Sequence, residues 1–234
     1  MNKKRLPLVS IIIPVFNSES YVKDAISSVI DQTFKDIEII VIDDGSTDKS
    51  LEIISGFKGI KLIKSETNRG VSHTRNRGIR ESRGEYIAFL DSDDFWINEK
   101  LDKQIKILLK NRSIEGIYGK FKNFFENGVI IPEYISKQMF LRPEFGKVKN
   151  IGTLLTERKV FEKIGMFNES IRSGEDLDWF IRANDSGVNF KFVPEILMHR
   201  RLHGSNLSYD SFDNKKYLLE IFQNSINRKR TIKK

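Results

Sequence analysis

Three carboxylates fall within four positions at Asp91, Asp93 and Asp94, directly after the mostly apolar run 85–90. Carboxylates this close repel each other, and they are tolerated where water solvates them, where one holds a proton, or where a cation neutralises them. A hard divalent cation that keeps some of its waters and also binds phosphate oxygens fits the cluster best. The other interpretation is an acidic turn in which an Asp caps the next helix, and the segment by itself leaves both open.

A second acidic cluster, Glu175, Asp176 and Asp178, follows Gly174 and opens an apolar helical pattern. Deprotonating an acceptor hydroxyl needs a positioned carboxylate, so a general base is one interpretation of this cluster. The other is an acidic first turn of a helix, which the helix dipole favours. The residue types alone do not decide between the two.

Two of the three histidines, His199 and His203, lie four residues apart in a polar segment that continues to Asn206. A zinc pair would need helical spacing and a third ligand, whereas this segment has the pattern of a strand that runs into a loop. A His or Arg that completes a diphosphate or metal site is the better interpretation. The third histidine, His73, is expected to be structural or on the surface.

The elements that must position these residues follow from the apolar periodicity. Buried strands are predicted at 8–13, 37–42, 60–63 and 85–90, with Pro14 ending the first of them, and helices at 19–31, through Leu51, Ile54 and Phe57, and at 71–82. Strands that alternate with helices of about a dozen residues predict repeated βαβ units. The fold class is therefore α/β, with a mostly parallel central sheet.

The rhythm changes after Asp94. We predict a helix at 98–110, a hairpin turning at Asn127-Gly128 between strands 117–125 and 129–134, a mobile loop at 136–150, strands at 151–156, 190–193 and 196–202, and helices at 160–164 and 176–186. No linker separates the halves. We expect one domain over 1–212, with a nucleotide-binding half at about 1–97 and a mixed half at about 98–212 that covers the carboxyl edge of the sheet.

Polar clusters follow each of the first four predicted strands. They are Pro14-Val15-Phe16-Asn17, Asp43-Asp44-Gly45-Ser46, Asn68-Arg69-Gly70 with Arg75-Asn76 shortly after, and Asp91-Ser92-Asp93-Asp94. Each could be ordinary turn chemistry, but the carboxyl ends of parallel strands share one edge, where such sheets bind ligands. The chain has neither G-x-G-x-x-G nor G-x-x-x-x-G-K-[ST], so a diphosphate here would need a metal or basic side chains.

The charge of the chain is concentrated in one segment. Residues 215–234 hold seven basic residues against one acid, a net charge of +6, which leaves +2 of the total +8 for the rest. Nucleic acid is therefore not an expected partner. We predict a basic C-terminal helix or tail over 213–234 that is solvated, attracted to anionic lipid headgroups, or part of a homodimer contact.

The 234 residues include no cysteine, which excludes disulfides, thiolate metal sites and a Cys nucleophile. No run of about eighteen apolar residues occurs, so no membrane span is expected. The apolar run 9–15 is short, contains Ser10 and Pro14 and has no small-residue cleavage site after it, so a signal peptide is not expected either. These features indicate a cytoplasmic protein, with peripheral contact at the inner face of the membrane as an option through the basic segment.

In this order, the clusters resemble the family 2 glycosyltransferases, which have the GT-A fold, a three-layer α/β sandwich. The resemblance covers about residues 8–208. Its segments are Pro14-Val15-Phe16-Asn17, Asp43-Asp44-Gly45-Ser46, Asn68-x-Gly70 with Arg75-Asn76-x-Gly78, the run from Gly84 to Asp94, Glu175-Asp176, and Arg201-x-His203-x-x-Asn206.

The resemblance implies transfer of a sugar, with inversion, from a nucleotide diphosphate sugar to a hydroxyl of a saccharide or a lipid-linked acceptor. A UDP-sugar is the family's commonest donor. Mg²⁺ or Mn²⁺ would bind at Asp91-x-Asp93 near His203, with Asp93 favoured as the ligand. Asp176 would be the base, with Glu175 its closest rival. The implied donor contacts are Pro14, Val15, Phe16, Asn17, Glu19, Asp43, Asn68, Gly70, Arg75, Asp91, Ser92 and Asp94.

Two other functions stay open. A nucleotidyltransferase that makes sugar nucleotides would want a glycine-rich loop with a basic residue after the first strand, where this chain has Pro14-Val15-Phe16-Asn17. A non-catalytic nucleotide-binding module or membrane adaptor would be expected to have lost some acidic positions, yet all of them are filled. The division of labour among Asp91, Asp93 and Asp94 is not decided by the sequence.

Overall fold

Strands and helices alternate through the first half of the chain, as the periodicity predicts. The computed structural model describes residues 6–126, 144–145, 149–204, 206 and 215–232. The first elements are β1 (Val9–Val15), α1 (Val22–Ile30), β2 (Ile37–Asp43), α2 (Ser50–Ser55), β3 (Ile60–Lys64), α3 (Val71–Glu81), β4 (Tyr86–Phe89) and β5 (Phe95–Trp96). Each helix returns the chain to the same end of the sheet, so the first four strands run parallel.

The second half mixes strand directions. Its described elements are α4 (Lys100–Lys110), β6 (Gly116–Phe125), β7 (Glu144–Phe145), a 3₁₀ turn (Ile151–Thr153), β8 (Leu155–Glu157), α5 (Arg158–Ile164), α6 (Glu175–Asp185), β9 (Phe190–Leu202) and α7 (Lys215–Ile232). Strand β8 runs antiparallel to both β4 and β6, while β9 runs parallel to β6 and antiparallel to β5. One sheet of order β3-β2-β1-β4-β8-β6-β9-β5, with β7 beside β6, therefore spans both halves.

Helices cover both faces of this sheet. Helices α1, α2 and α4 pack on the face that presents Ile11 and Ile13, and α3, α5 and α6 pack on the face that presents Ile12. Strand β1 is buried along its whole length, which explains why it is apolar throughout instead of alternating. Gly78 lets α3 lie close to the sheet, since a Cβ there would come within 2.9 Å of Ile42 Cδ1.

The prediction that Pro14 ends the first strand is wrong. Strand β1 continues to Val15, with Pro14 opposite Ile42 and Val15 opposite Asp43 of β2. The carbonyl of Ile12 accepts from Leu90 on the β4 side, and alternate residues of a strand face the same neighbour. The missing N–H of Pro14 therefore faces that side beyond the end of β4 at Phe89, so no ladder hydrogen bond is lost.

The two short strands predicted at 190–193 and 196–202 are a single strand, β9. Val193 pairs with Gly119 and Ile196 with Lys120, so Pro194 and Glu195 have no partners in β6. A bulge of this kind accommodates a proline, because the proline sits where no ladder hydrogen bond is made. The apolar pattern of the sequence shows the interruption at Pro194 and Glu195, but it does not show that a bulge keeps both parts in one strand.

The strand predicted at 151–156 is a 3₁₀ turn followed by the short strand β8. The side chain of Asn150 accepts a hydrogen bond of 2.8 Å from the amide of Gly152, and Trp96 Nε1 donates to the carbonyl of Gly152 at 2.8 Å. Both bonds favour the turn over an extended backbone. Because Trp96 is distant in sequence, the apolar pattern of 151–156 does not reveal this.

The predicted hairpin at Asn127-Gly128, its second strand at 129–134 and most of the loop at 136–150 lie outside the described residues. Within that loop, Glu144 and Phe145 form β7 and pair with Lys122 and Phe121 of β6.

The basic C-terminal segment contains helix α7, which packs on α6. Ile221 and Ser225 are buried, and Arg228 Nε donates to Asp185 Oδ2, at the end of α6, over 3.1 Å. Among the described residues, no helix combines the length and the apolar character needed to cross a membrane.

Candidate active site

One buried guanidinium joins the two acidic clusters. Arg75 on α3 donates through Nη2 to Asp91 Oδ1 and through Nη1 to Glu175 Oε1, both over 2.6 Å. Its side chain is only 3% exposed. Burial alone would lower the pKa of Arg75, but the charges of Asp91 and Glu175 outweigh burial and raise it. The ends of β4 and α6 are thus held on one permanently charged group.

Asp176 stands beside this ion-pair network in the first turn of α6. Burial first, and then the charge of Glu175, raise the pKa of Asp176 to about 6, although Arg75 acts in the opposite direction. Its Oδ1 accepts only from the amide of Leu177 among the described contacts, over 2.7 Å. Gly174, in the left-handed region at φ 86°, starts this helix at an angle that other residues rarely adopt. The carboxylate of Asp176 therefore binds a proton at a higher pH than an ordinary Asp does.

Asp93 is held by residues from the far end of β9. Its Oδ2 lies 3.1 Å from His203 Nε2 and accepts from Asn206 Nδ2, also over 3.1 Å. His203 is buried, and its amide donates to Asn206 Oδ1 over 2.6 Å. The imidazole stacks on Tyr21, with ring centroids 4.6 Å apart. His203 and Asn206 therefore hold the carboxylate that was favoured as metal ligand in the sequence analysis.

Asp94 is turned into the protein instead of toward the edge of the sheet. It is buried, and its Oδ1 accepts from the amide of Arg201 over 2.9 Å. Burial, with the charges of Asp93 and Asp91, raises its pKa well above the usual range. The carboxyl group of Asp94 joins the segment after β4 to β9.

Asp43, at the end of β2, is fully buried with an unused acceptor. Its Oδ2 accepts from the amide of Ser46 over 3.2 Å, while its Oδ1 has no hydrogen-bond partner among the residues that the structure describes. Buried polar atoms without a partner are rare in proteins, so this oxygen is a candidate to accept a hydrogen bond from a bound ligand. Pro14 and Val15 are buried in the strand next to it.

The neighbouring Asp44 has a role that the sequence did not reveal. Its Oδ2 accepts from the amides of Arg69 (3.0 Å) and Gly70 (2.8 Å). Asn68 Oδ1 also accepts from the amide of Gly70, over 3.0 Å. Asp44 therefore fixes the turn that leads into α3 and its Arg75.

The loops after β1 and β2 are bonded to each other. Asn17 has a positive φ of 45°, and its Oδ1 accepts from the amide of Thr47 over 2.8 Å. Glu19 Oε2 accepts from the amide of Lys49 over 2.9 Å. Phe16 is exposed between them. Ser92 joins the same assembly from the β4 side, since its Oγ lies 2.7 Å from Ser18 Oγ.

Sequence reasoning missed Tyr21 and left His199 open. Tyr21 donates to Glu126 Oε2 over 2.9 Å, and burial, followed by Glu126, raises its pKa to about 12. No motif singles out Tyr21, because its contacts come from the end of β6 and of β9. His199 stacks on Phe95 and is not among the residues that contact Asp93. His73 is buried, as expected for a structural residue.

The carboxylate oxygens at this edge of the sheet are ligands that suit a hard cation, but they do not surround a single position. Within the described part of the chain, no three His, Asp or Glu side chains converge where a metal could sit. Asp93 contacts His203, whereas Asp91 contacts Arg75. Burial, followed by the charges of Asp93 and Asp91, raises the pKa of Asp94, and a cation at this edge would relieve the repulsion among the three carboxylates. Mg²⁺ and Mn²⁺ commonly bind through one or two carboxylates, with water and phosphate completing the shell.

Comparison with known sequences gives a consistent picture. The sequence model described as Glycosyl transferase family 2 matches residues 10–165. An uncharacterized glycosyltransferase of Haemophilus influenzae is 41% identical over 66% of this chain and 64% of its own length. Chondroitin synthase of Pasteurella multocida is 30% identical over 97% of this chain but only 24% of its own. The chain thus spans less than two thirds of these relatives.

Comparison with solved structures establishes the GT-A fold. TarS of S. aureus in complex with UDP-GlcNAc matches with a TM-score of 0.75 at 21% identity, over 94% of this chain and 66% of that one. A mannosyltransferase of Pyrobaculum calidifontis in complex with GDP-Man and Mn²⁺ matches with a TM-score of 0.72 at 16% identity, over 96% and 65%.

Replacing Arg75 tests the ion-pair network. Arg75→Met should lower the free energy of unfolding by about 3–5 kcal/mol, because it leaves Glu175 buried and unpaired. Adding Glu175→Gln should recover part of that loss. The control is Arg83→Met, which removes an exposed partner of Glu38 and should cost at most about 1 kcal/mol. Urea denaturation measures all three variants, and equal losses for Arg75→Met and Arg83→Met would contradict the assignment.

Proposed function

The chain belongs to glycosyl transferase family 2, and from that premise we propose an inverting transfer of sugar from a nucleotide diphosphate donor to an acceptor hydroxyl. The observation that carries the proposal is the ion-pair network of Arg75. It holds the carboxylates after β4 and the acidic first turn of α6 on the same group, at 2.6 Å from each. A diphosphate at the first cluster would therefore lie close to a base at the second.

Asp176 is proposed as the base. A carboxylate whose pKa is about 6 is mostly ionised at neutral pH, and it is a stronger base than an ordinary Asp. Glu175, its rival in the sequence, already binds Arg75 through Oε1 over 2.6 Å, so that oxygen is engaged in the ion pair. The base would take the proton of the acceptor hydroxyl as that oxygen attacks the anomeric carbon from the face opposite the diphosphate.

Asp93 and Asp91 are proposed to hold Mg²⁺ or Mn²⁺, with His203 beside Asp93. The cation, when bound, would stabilise the negative charge that develops on the leaving diphosphate. Asp91 is 37% exposed, so it remains reachable while Arg75 binds one of its oxygens. Mn²⁺ in the complex of the similarly folded mannosyltransferase supports this. Arg75 would keep Asp91 in place, and His203 and Asn206 would keep Asp93 in place.

A UDP-sugar is proposed as the donor. The two similarly folded proteins were solved with UDP-GlcNAc and with GDP-Man, so the fold alone does not determine which nucleobase the donor carries. The chemistry of Asp43 favours uracil. Asp43 has one unused oxygen, Oδ1, which suits the single N3–H of uracil, whereas guanine presents two adjacent donors that would use both oxygens of a carboxylate.

The acceptor is proposed to be a saccharide or a lipid-linked saccharide. The similarity to chondroitin synthase, over nearly the whole chain, supports a glycan acceptor. The described acceptor side of the site comprises the first turn of α6 and the β9 end.

Asp176→Asn tests the base. This variant should lose transfer by roughly 10²–10⁴-fold, the usual contribution of a general base, while the affinity for donor with Mn²⁺ stays nearly unchanged. Single-turnover transfer and calorimetric donor binding are the measurements. Glu175→Gln is the matched comparison, and a larger loss of kcat in that variant would move the role of base to Glu175.

The pH dependence of transfer offers an independent test. Transfer should rise with pH through about 6, as Asp176 loses its proton. Because the charge of Glu175 raises the pKa of Asp176, Glu175→Gln should move this acid limb to lower pH. Arg75, freed from one partner, would push in the same direction. An acid limb of kcat that moves to higher pH, or stays in place, would count against Asp176.

A thermal-shift panel of nucleotide sugars tests the donor. UDP-sugars with Mn²⁺ should stabilise the protein, by about 2.7 kcal/mol at a hundred times Kd, and GDP-mannose should not. Asp43→Asn and Asp93→Asn should each weaken the shift. Stabilisation by GDP-sugars alone would reject uracil recognition. Release of pyrophosphate from a nucleoside triphosphate would instead indicate a nucleotidyltransferase, and no shift with any nucleotide would favour a non-catalytic module.

A further inference from the structure

Helix α7 is anchored to the protein along one face. Ile221 and Ser225 on that face are buried. At the same helix end, Arg228 Nη2 lies 3.0 Å from Asp185 Oδ2 and Lys229 Nζ lies 3.3 Å from Asp185 Oδ1. The Asp185 side chain, on α6, is almost fully buried. The orientation of α7 about its own axis is therefore fixed by contacts, and its opposite face points outward.

That opposite face carries a ridge of large apolar side chains, which we call the outer ridge: Leu219, Phe222 and Ile226. They are 70%, 52% and 51% exposed. Their spacing of three and four residues places them on one line along the helix, and exposed Arg230 continues the line one turn later. Scattered single apolar residues are normal on a surface, but a contiguous exposed ridge marks an interaction site.

The charge around the outer ridge identifies the class of partner. In sequence, residues 215–234 have a net charge of +6, and Arg228 and Lys229 share only one buried acid, Asp185. Apolar side chains in line on a helix rich in Lys and Arg are the signature of binding to an anionic lipid surface. A second copy of the chain is disfavoured, because ridge-to-ridge packing would bring two strongly basic helices together.

We propose that the outer ridge docks the protein on an anionic membrane surface. Leu219, Phe222 and Ile226 insert between the headgroups, and exposed Arg230, in line with them, binds lipid phosphate. Ile221, on the inner face, lies against Gly174, since a Cβ there would be 3.8 Å from Ile221 Cδ1. Docking thus brings the first turn of α6 near the lipid surface. Only this last step rests on the proposed function, and it points to a lipid-linked acceptor.

Vesicle flotation with the whole chain tests the docking. We expect binding to phosphatidylcholine vesicles that contain about 30 mol% phosphatidylglycerol, little binding to pure phosphatidylcholine, and a loss as NaCl rises from about 0.1 to 0.5 M. The triple variant L219Q/F222Q/I226Q should bind at least about tenfold more weakly. The matched control is Leu109→Gln on α4, which removes another exposed leucine, 44% exposed. This variant should bind vesicles as strongly as the unsubstituted protein.

The outcomes separate the possible occupants. Because the ridge is exposed, the triple variant should keep the original melting temperature, and a fall would call for L219Q and F222Q to be tested singly. Equal vesicle binding by the triple variant and the original, or no binding by the original, would overturn the proposal. Light scattering that shows a dimer dissolved by the triple variant, without vesicle binding, would assign the ridge to a second copy. Flotation needs neither a sugar donor nor catalytic turnover, so its result can be interpreted even if the transferase proposal fails.

Discussion

The buried guanidinium of Arg75 is the interaction on which the site depends. A cation removed from water is costly unless carboxylates pair with it, and Arg75 has two such partners, Asp91 and Glu175, each at 2.6 Å. They come from the end of β4 and the start of α6, which are far apart in the chain. Because neither can move away without leaving charge unpaired, α3, β4 and α6 are fixed as one unit. The edge of the sheet acquires its geometry from this pairing.

The carboxylates around this pairing lie in different environments. Glu175 is satisfied by Arg75, while Asp176, one residue later, meets burial and the charge of Glu175 without an equal partner, so its pKa rises to about 6. Asp94 is buried behind Asp93 and becomes hard to ionise. Asp93 is held by His203 and Asn206 and stays partly exposed. Environment, and not residue type, therefore distinguishes Asp176, Asp94 and Asp93 from one another.

The sequence predicted the helices and strands better than it predicted the contacts between them. The parallel strands could be identified because burial on both faces leaves a continuous apolar run, and the GT-A fold was confirmed. The strand β9 was divided at Pro194 because a bulge is a property of the pair of strands, not of one. Likewise, Arg75 and Glu175 were both candidates, yet nothing in either segment says that they meet across 100 residues. Tyr21 was missed for the same reason, because its partners Glu126 and His203 lie far from it in the sequence.

Helix α6 links Asp176, in the candidate active site, to helix α7 on the surface of the protein. Its 11 residues span about 16 Å at 1.5 Å per residue, with Asp176 in the first turn and Asp185 at the end. Helix α7 contacts both ends, through Ile221 near Gly174 and through Arg228 at Asp185. Because α7 contacts both ends of α6, adsorption of α7 to lipid would hold Asp176, in the first turn of α6, close to the membrane surface.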